Sequence, residues 1–245
     1  MVSDIARNLE MVRRRIARAA ARAGRDPSSV TLVGVSKTVP AERVASAVEA
    51  GLRDLGENRV QEARDKAPRL PERVRWHLVG HLQSNKATLA ARLFDMVHSI
   101  DSLETARRLD QAAQQAGRSI VGLVQVDMAG EATKFGVPEA DLDPLLEGVE
   151  ALGALRIRGL MVLPPYQPDP ERARPYFRRL RELRDGTASR HPALELSELS
   201  MGMTEDFEVA IEEGATLVRV GRALFGERPG KQPAATSQHS ALRGE

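Results

Sequence analysis

The stretch 30-VTLVGVSKTVPAERVASAVEAGLRDLGEN-58 decides the fold. It opens with a short apolar, β-branched run, Val30 to Val35, of the kind that forms a buried strand. The run breaks at Ser36, Lys37 and Thr38. Pro40 and Gly51 then bracket a helical pattern, the proline at its start and the glycine at its end. A second run follows, 53-RDLGEN-58, which again ends in polar residues. Strand, helix, strand is the unit of a parallel sheet, because parallel neighbours need a long crossover between them. The question the stretch poses is why a lysine sits at the tip of the first strand.

The same unit recurs along the chain. Further runs are 74-VRWHLV-79, 95-DMVHSI-100, 120-IVGLVQVD-127, 156-RIRGLMVL-163, 195-ELSELS-200 and 216-TLVRVG-221, which makes eight with helical segments between them. The helix after Ile100 reads as capped by Asp101, with Glu104 at the third helical position and a stop at Gly117. Strict alternation gives an α/β protein with a parallel sheet, and eight units in about 250 residues match a closed (β/α)8 TIM barrel. The alternative is an open doubly wound sheet. It calls for a phosphate loop at the first strand-to-helix turn, and neither GxGxxG nor GxxxxGK[ST] occurs.

Two end segments stand outside the repeat. Residues 3 to 23 carry a helical apolar stripe, Ile5, Leu9, Val12, Ile16, Ala19 or Ala20, and Ala23, and the expected position of this extra N-terminal helix is across the bottom of the barrel. Arg13, Arg14, Arg15, Arg18 and Arg22 surround the stripe. They read as a solvated face in preference to an RNA or membrane surface, since the chain is almost neutral and poor in aromatics. The tail 229–245 has little to bury and is expected to be disordered, leaving one barrel domain over 1–228.

Composition excludes several classes of function. At 245 residues, with 42% hydrophobic and 29% charged residues, the chain can bury a full core. The 36 basic and 34 acidic side chains leave a net charge of +2, too little to draw in nucleic acid or an anionic membrane over distance. There is no cysteine, hence no disulfide, no thiolate ligand and no cysteine nucleophile. The N-terminus has no apolar signal region and no run is long enough for a membrane span, so the expected location is cytoplasmic. His77 and His81 are four apart, but Gly80 and the strand-to-loop setting keep them off a common helix face. No third ligand stands out, and no metal site is expected.

In a barrel of this kind chemistry belongs at the C-terminal ends of the strands, with phosphate held by the loops after strands seven and eight. Those loops are 200-SMGMTED-206 and 221-GRALFG-226. Their glycines admit close backbone approach, Ser200 and Thr204 carry hydroxyls, and each loop leads into a helix. A plain turn-and-cap explanation accounts for either loop singly; together they form a candidate phosphate cup. Lys37 falls on the same face. An amine partly shielded from water is a nucleophile toward a carbonyl carbon, and a simple phosphate counter-ion or a solvated lysine remain open. By strand alternation Arg219 and Gly221 share a face, which sets Arg219 in the barrel mouth. Its acceptor is then either a pyridine nitrogen or a strand-end acid such as Glu57 or Asp127.

The ordered set 34-GVSKTVP-40, 56-GENRVQE-62, 76-WHLVGHLQSNK-86, 98-HSID-101, 133-TKFG-136, 159-GLMVLPP-165, 198-ELSMGMTEDFEVAIEEGAT-216 and 218-VRVGRALFG-226 resembles the pyridoxal phosphate homeostasis proteins, single-barrel relatives of the alanine racemase N-terminal domain. The resemblance runs from about residue 4 to residue 228. It implies a fold-type III barrel that binds pyridoxal 5'-phosphate (PLP) as an internal aldimine on Lys37. It further implies that Ser200, the backbone around Gly202 and Met203, and Gly221 with Arg222 hold the phosphate, and that Arg219 faces the pyridine nitrogen. Asn58, His77 and Met161 match strand ends that line the pocket in the family, and Lys134 matches a lysine near its mouth. Relatives often carry a small hydroxyl residue where Arg222 follows Gly221.

An arginine at the pyridine nitrogen keeps it unprotonated and weakens the ring as an electron sink. Racemisation also needs a second base on the opposite face of the substrate carbon. In two-domain racemases that base is a tyrosine from a further domain, and neither Tyr166 nor Tyr176 matches it. The resemblance therefore implies a monomeric PLP carrier or reservoir, not an enzyme, serving PLP-dependent apoenzymes, with indirect effects on amino-acid and keto-acid pools. An amino-acid racemase or other PLP enzyme, and an aldolase-like barrel taking a sugar phosphate on its lysine, are the alternatives.

Overall fold

The computed structural model describes residues 3–128 and 135–226. Eight parallel strands form the barrel: β1 Thr31–Val35, β2 Asp54–Glu57, β3 Arg75–Leu78, β4 Met96–Ile100, β5 Ile120–Asp127, β7 Leu155–Met161, β8 Glu198–Ser200 and β9 Leu217–Val220. A two-residue strand, β6 (Val137–Pro138), adds to the end of β5 alone. The order is β4-β3-β2-β1-β9-β8-β7-β5, and pairing between β4 and β5 closes the ring. Each expected run overlaps one of these strands, β7 starting one residue before its run, and the closed parallel barrel replaces the open-sheet alternative. The register is set by pairs such as Val33 with Asp54 and Val33 with Arg219 on either side of β1.

The crossover helices are α2 (Ala41–Glu49), α3 (Val60–Lys66), α4 (Ala87–Leu93), α5 (Leu103–Gln115), α6 (Leu142–Val149), α7 (Arg174–Arg190) and α8 (Phe207–Glu212). They bury one apolar face each against the outer side of the strands, forming a continuous core that includes Leu55, Leu78, Phe94, Ile100, Phe177 and Phe207. Pro40 and Gly51 bracket α2 as expected, Gly51 at φ +100°. At α5 the cap differs by one residue. Ser102, not Asp101, takes the N-cap position and accepts from the Thr105 amide at 3.1 Å, while Asp101 accepts from the Thr105 hydroxyl. The helix starts at Leu103, so Ser102 is the residue placed to accept from the amide three positions on.

The N-terminal helix is the larger correction. α1 (Asp4–Arg22) buries Ile5, Leu9, Val12, Ile16, Ala19 and Ala20, the stripe read from the sequence, except that Ala23 lies just past its end. It does not cross the barrel bottom. It packs along α8, α2 and the four-residue α9 (Arg222–Phe225) that follows β9. Because α9 is too short to cover the outer face of β9 and β1, α1 takes the place of the eighth outer helix. Its arginines serve this contact: Arg15 and Arg22 pair with Glu208 and Glu212 of α8, and Arg15 also lies over the Phe207 ring. The tail 229–245 lies outside the described residues. Among the described residues no helix is long and apolar enough to cross a membrane.

Candidate functional site

β1 ends in a tight turn. The Val39 amide donates to the Ser36 carbonyl at 3.0 Å, and Thr38 at its corner has φ +64°. This turn carries Lys37, half-buried, into a cavity of about 610 Å³ at the C-terminal mouth of the barrel. Such a volume suits a small-molecule ligand. Of the residues singled out from sequence, Lys37, Asn58, Met203, Arg219, Gly221 and Arg222 line this cavity. They come from the ends of β1, β2, β8 and β9, so the barrel's closure brings together side chains up to 185 positions apart. Asn58 owes its place partly to Gly80, whose Cα approaches so closely that a Cβ there would lie 2.4 Å from the Asn58 carbonyl oxygen.

His77, Met161, Ser200 and Gly202 are buried behind the cavity wall. Met161 packs in the lumen with Val33, Leu123 and Leu217. Gly202, at φ +88°, lets its loop press on α8, where a Cβ would meet Ala210 Cβ at 2.6 Å. Ser200 and His77 belong to a chain of hydrogen bonds that crosses the lumen. Arg219 Nη1 donates to Ser200 Oγ at 2.5 Å and Nη2 to the Val162 carbonyl at 2.9 Å. Ser200 Oγ lies 2.7 Å from His98 Nδ1, His98 Nε2 lies 2.9 Å from His77 Nδ1, and His77 Nε2 lies 3.0 Å from Asp54 Oδ1. Since β4 and β8 are not neighbours in the ring, the His98 to Ser200 bond spans the barrel interior.

The Asp54 carboxylate only accepts, and bonds from His77 and Arg75 keep its pKa below the usual value despite burial. With His98 neutral, one of its ring nitrogens donates and the other accepts, so it joins His77 to Ser200 as donor at one end and acceptor at the other. Burial, with the nearby His77 and Arg219, holds His98 well below the usual histidine pKa, consistent with the neutral ring. Ser200 Oγ then accepts from Arg219. Ser200 Oγ, which lies between His98 Nδ1 and Arg219 Nη1, links Arg219 to the chain. Burial lowers Arg219 itself to about 10, opposed by the charge of Asp206. Glu57, offered by the sequence as an acid for Arg219, lies on the outer side of β2 and pairs with Lys66 at 2.6 Å.

The cup's other donors have internal acceptors. Arg222 Nη2 meets Glu205 Oε1 at 2.6 Å, and the Met203 amide donates to Asp206 Oδ1 at 2.6 Å. Burial raises the Asp206 pKa, the bond from Met203 opposing. Two of the cavity's candidate anion donors are therefore already carboxylate-bound. Apolar walls come from Val35, Val39, Val79, Leu163 and Pro164, and Tyr166 stands at the mouth, 76% exposed. An amine, two guanidinium groups and a hydroxyl from Thr204 among apolar walls fit an aromatic aldehyde that carries one phosphate. Sequence reading missed Asp54 and His98; the signal available was a polar residue in the inward phase of an otherwise apolar strand. Lys134 lies outside the described residues. His81 stacks on Phe135, with ring centroids 3.7 Å apart, well separated in role from His77.

Comparison with known proteins places these features. The sequence profile for the alanine racemase N-terminal domain matches residues 7–229. A pyridoxal phosphate homeostasis protein of Pseudomonas aeruginosa is 46% identical over 236 residues, covering 95% of this chain and 100% of that one. The protein of the same name from Escherichia coli K12 is 41% identical over 231 residues, covering 93% and 98%. PipY of Synechococcus elongatus, solved with PLP bound, is 42% identical with a TM-score of 0.77, covering 86% of this chain and 100% of its own.

Proposed function

The chain belongs to the family of pyridoxal phosphate homeostasis proteins, and from that premise we propose that its barrel holds PLP reversibly, with Lys37 as the anchoring amine. The observation that carries this reading is that Lys37 and Arg219 line one cavity at the C-terminal mouth of the barrel. When bound, PLP supplies an aldehyde that condenses reversibly with a primary amine, releasing water. Lys37 provides that amine. Gly221 and Arg222, with the Thr204 hydroxyl, hold the phosphate, and Asn58 and the valine walls flank the ring. Arg219 has donors and no lone pair, so a ring nitrogen set against it is kept as an acceptor and takes no proton.

This is the arrangement of a carrier. An unprotonated ring withdraws electrons weakly, and Tyr166, the one phenol lining the cavity among the described residues, stands largely in solvent. The protein acts as a monomeric reservoir that releases PLP to apoenzymes and, through them, influences amino-acid and keto-acid pools. Release is eased because Glu205 and Asp206 are at hand to replace the phosphate on Arg222 and the Met203 amide.

Borohydride reduction of the protein reconstituted with excess PLP, followed by peptide mass spectrometry, tests the reading. A pyridoxyl-phosphate mass on Lys37, with loss of the visible band, is expected, and Lys37→Ala should weaken PLP binding by about tenfold or more. An unmodified Lys37 under these conditions overturns the proposal. Incubation with amino acids in deuterium oxide separates carrier from racemase: no exchange at the α-carbon is expected.

A further inference from the structure

The turn that carries Lys37 is gripped on both sides by charged groups that the cavity does not use. On one side is Ser36, fully buried. Its carbonyl accepts from Lys66 Nζ at 2.6 Å as well as from the Val39 amide, and its hydroxyl donates to Glu57 Oε1 at 2.6 Å. Lys66 Nζ donates to the same Glu57 oxygen at 2.6 Å. On the other side is Thr38, whose amide donates to Glu62 Oε2 at 2.9 Å. Glu62 and Lys66 stand one turn apart on α3, 3.9 Å from each other, so one helix face holds both neighbours of Lys37.

An ordinary strand-to-helix turn needs no such device. Burying Glu57 and Lys66 incurs a desolvation penalty, visible in the raised pKa of Glu57 and in its second oxygen, which is buried without a hydrogen-bond partner. Thr38 is β-branched and sits in the left-handed region, a strained conformation that persists only where its surroundings over-determine it. Both expenditures bracket a single residue, and that residue is the lysine at the cavity.

Resting on the reading of Lys37 as the PLP anchor, we propose that Lys66, Glu57 and Glu62 are positioning residues that fix the Lys37 backbone where its amine meets the aldehyde carbon. The clamp acts through Ser36 and Thr38 and touches no part of the phosphate cup. It sets how fast and how completely Lys37 captures the aldehyde, and leaves non-covalent affinity for the ring and phosphate as it is. In the capture step the neutral amine adds to the carbonyl carbon, and the carbonyl oxygen leaves as water with the two protons that the amine gives up.

The test compares two ligands. PLP reports capture, read as the rate of borohydride-trappable mass at Lys37. Pyridoxamine 5'-phosphate has the ring and phosphate but an amine in place of the aldehyde, so its dissociation constant reports non-covalent binding alone. Glu62→Ala and the charge-neutral pair Lys66→Met with Glu57→Gln should slow capture by about tenfold, with pyridoxamine phosphate affinity within about twofold of the parent. Glu62→Gln keeps an oxygen for the Thr38 amide and should capture like the parent. Capture at the parent rate in Glu62→Ala overturns the proposal. So does a parallel loss of both readouts in which Glu62→Gln fares no better than Glu62→Ala. If the paired variant fails to fold, the Glu62 variants decide alone. Absence of any Lys37 adduct in the parent protein is a separate result, and defeats the PLP reading itself.

Discussion

At the scale of the residue, the hydrogen-bond chain from Asp54 to Arg219 makes a pH prediction. His98 is neutral and fully buried in the folded barrel, whereas in the unfolded chain it titrates near its ordinary value of 6.5. Its folded pKa is the lower one, so its contribution to stability is complete above pH 6.5 and is lost as pH falls below that value. The slope approaches about 1.4 kcal/mol per pH unit while the native ring stays unprotonated. Asp54, also lowered, adds a loss of the same sign only below about pH 4. Denaturant titrations between pH 7 and 5 should therefore show stability falling with acid in the parent and a flatter profile in His98→Asn. An equal slope in both would remove His98 as the source. The ion pair of Arg222 with Glu205 makes a second prediction. Both side chains are about half exposed, so Glu205→Gln should tighten inorganic phosphate and PLP binding only a few-fold, read by calorimetry.

Elements were legible where their signals are local. The eight strands showed as apolar runs, and α2 by its proline and glycine, because backbone preference and burial act within a few residues. What was hidden depends on partners far along the chain. The stripe Ile5, Leu9, Val12, Ile16 says that α1 buries one face but not against what; that was set by the shortness of α9, which ends only at Phe225. Leu9 is 1% exposed beneath α1, and Leu9→Ala should destabilise the protein by about 2–4 kcal/mol in denaturant titration. A loss below about 1 kcal/mol would show that α1 is loosely docked. Arg15→Ala removes an ion pair and a ring contact at the same interface and should cost less.

For the whole molecule, closure of the barrel turns a one-dimensional list of strand ends into a site. Lys37, Arg219 and Gly221 could be placed on one face from sequence because the βα alternation fixes which end of each strand faces the mouth. Ser200 and His77 mark the limit of that rule. It places residues at strand ends but does not say whether a polar side chain turns to the cavity or to another strand across the lumen, and here hydrogen-bond satisfaction chose the latter. The clamp on Lys37 escaped for the same reason: only Glu57 was singled out, as a strand-end acid, and it is the packing of α3 that sets it with Glu62 and Lys66 around Ser36 and Thr38.

The docking of α1 into the eighth helical place also orders events during synthesis. α1 is made well before two of its main supports, α8 and α9; Asn8 waits for the carbonyl of Leu224, 216 positions later. Until α8 and α9 are made, the apolar stripe of α1 lacks part of its cover, and the barrel gains its last wall only when these distant segments meet.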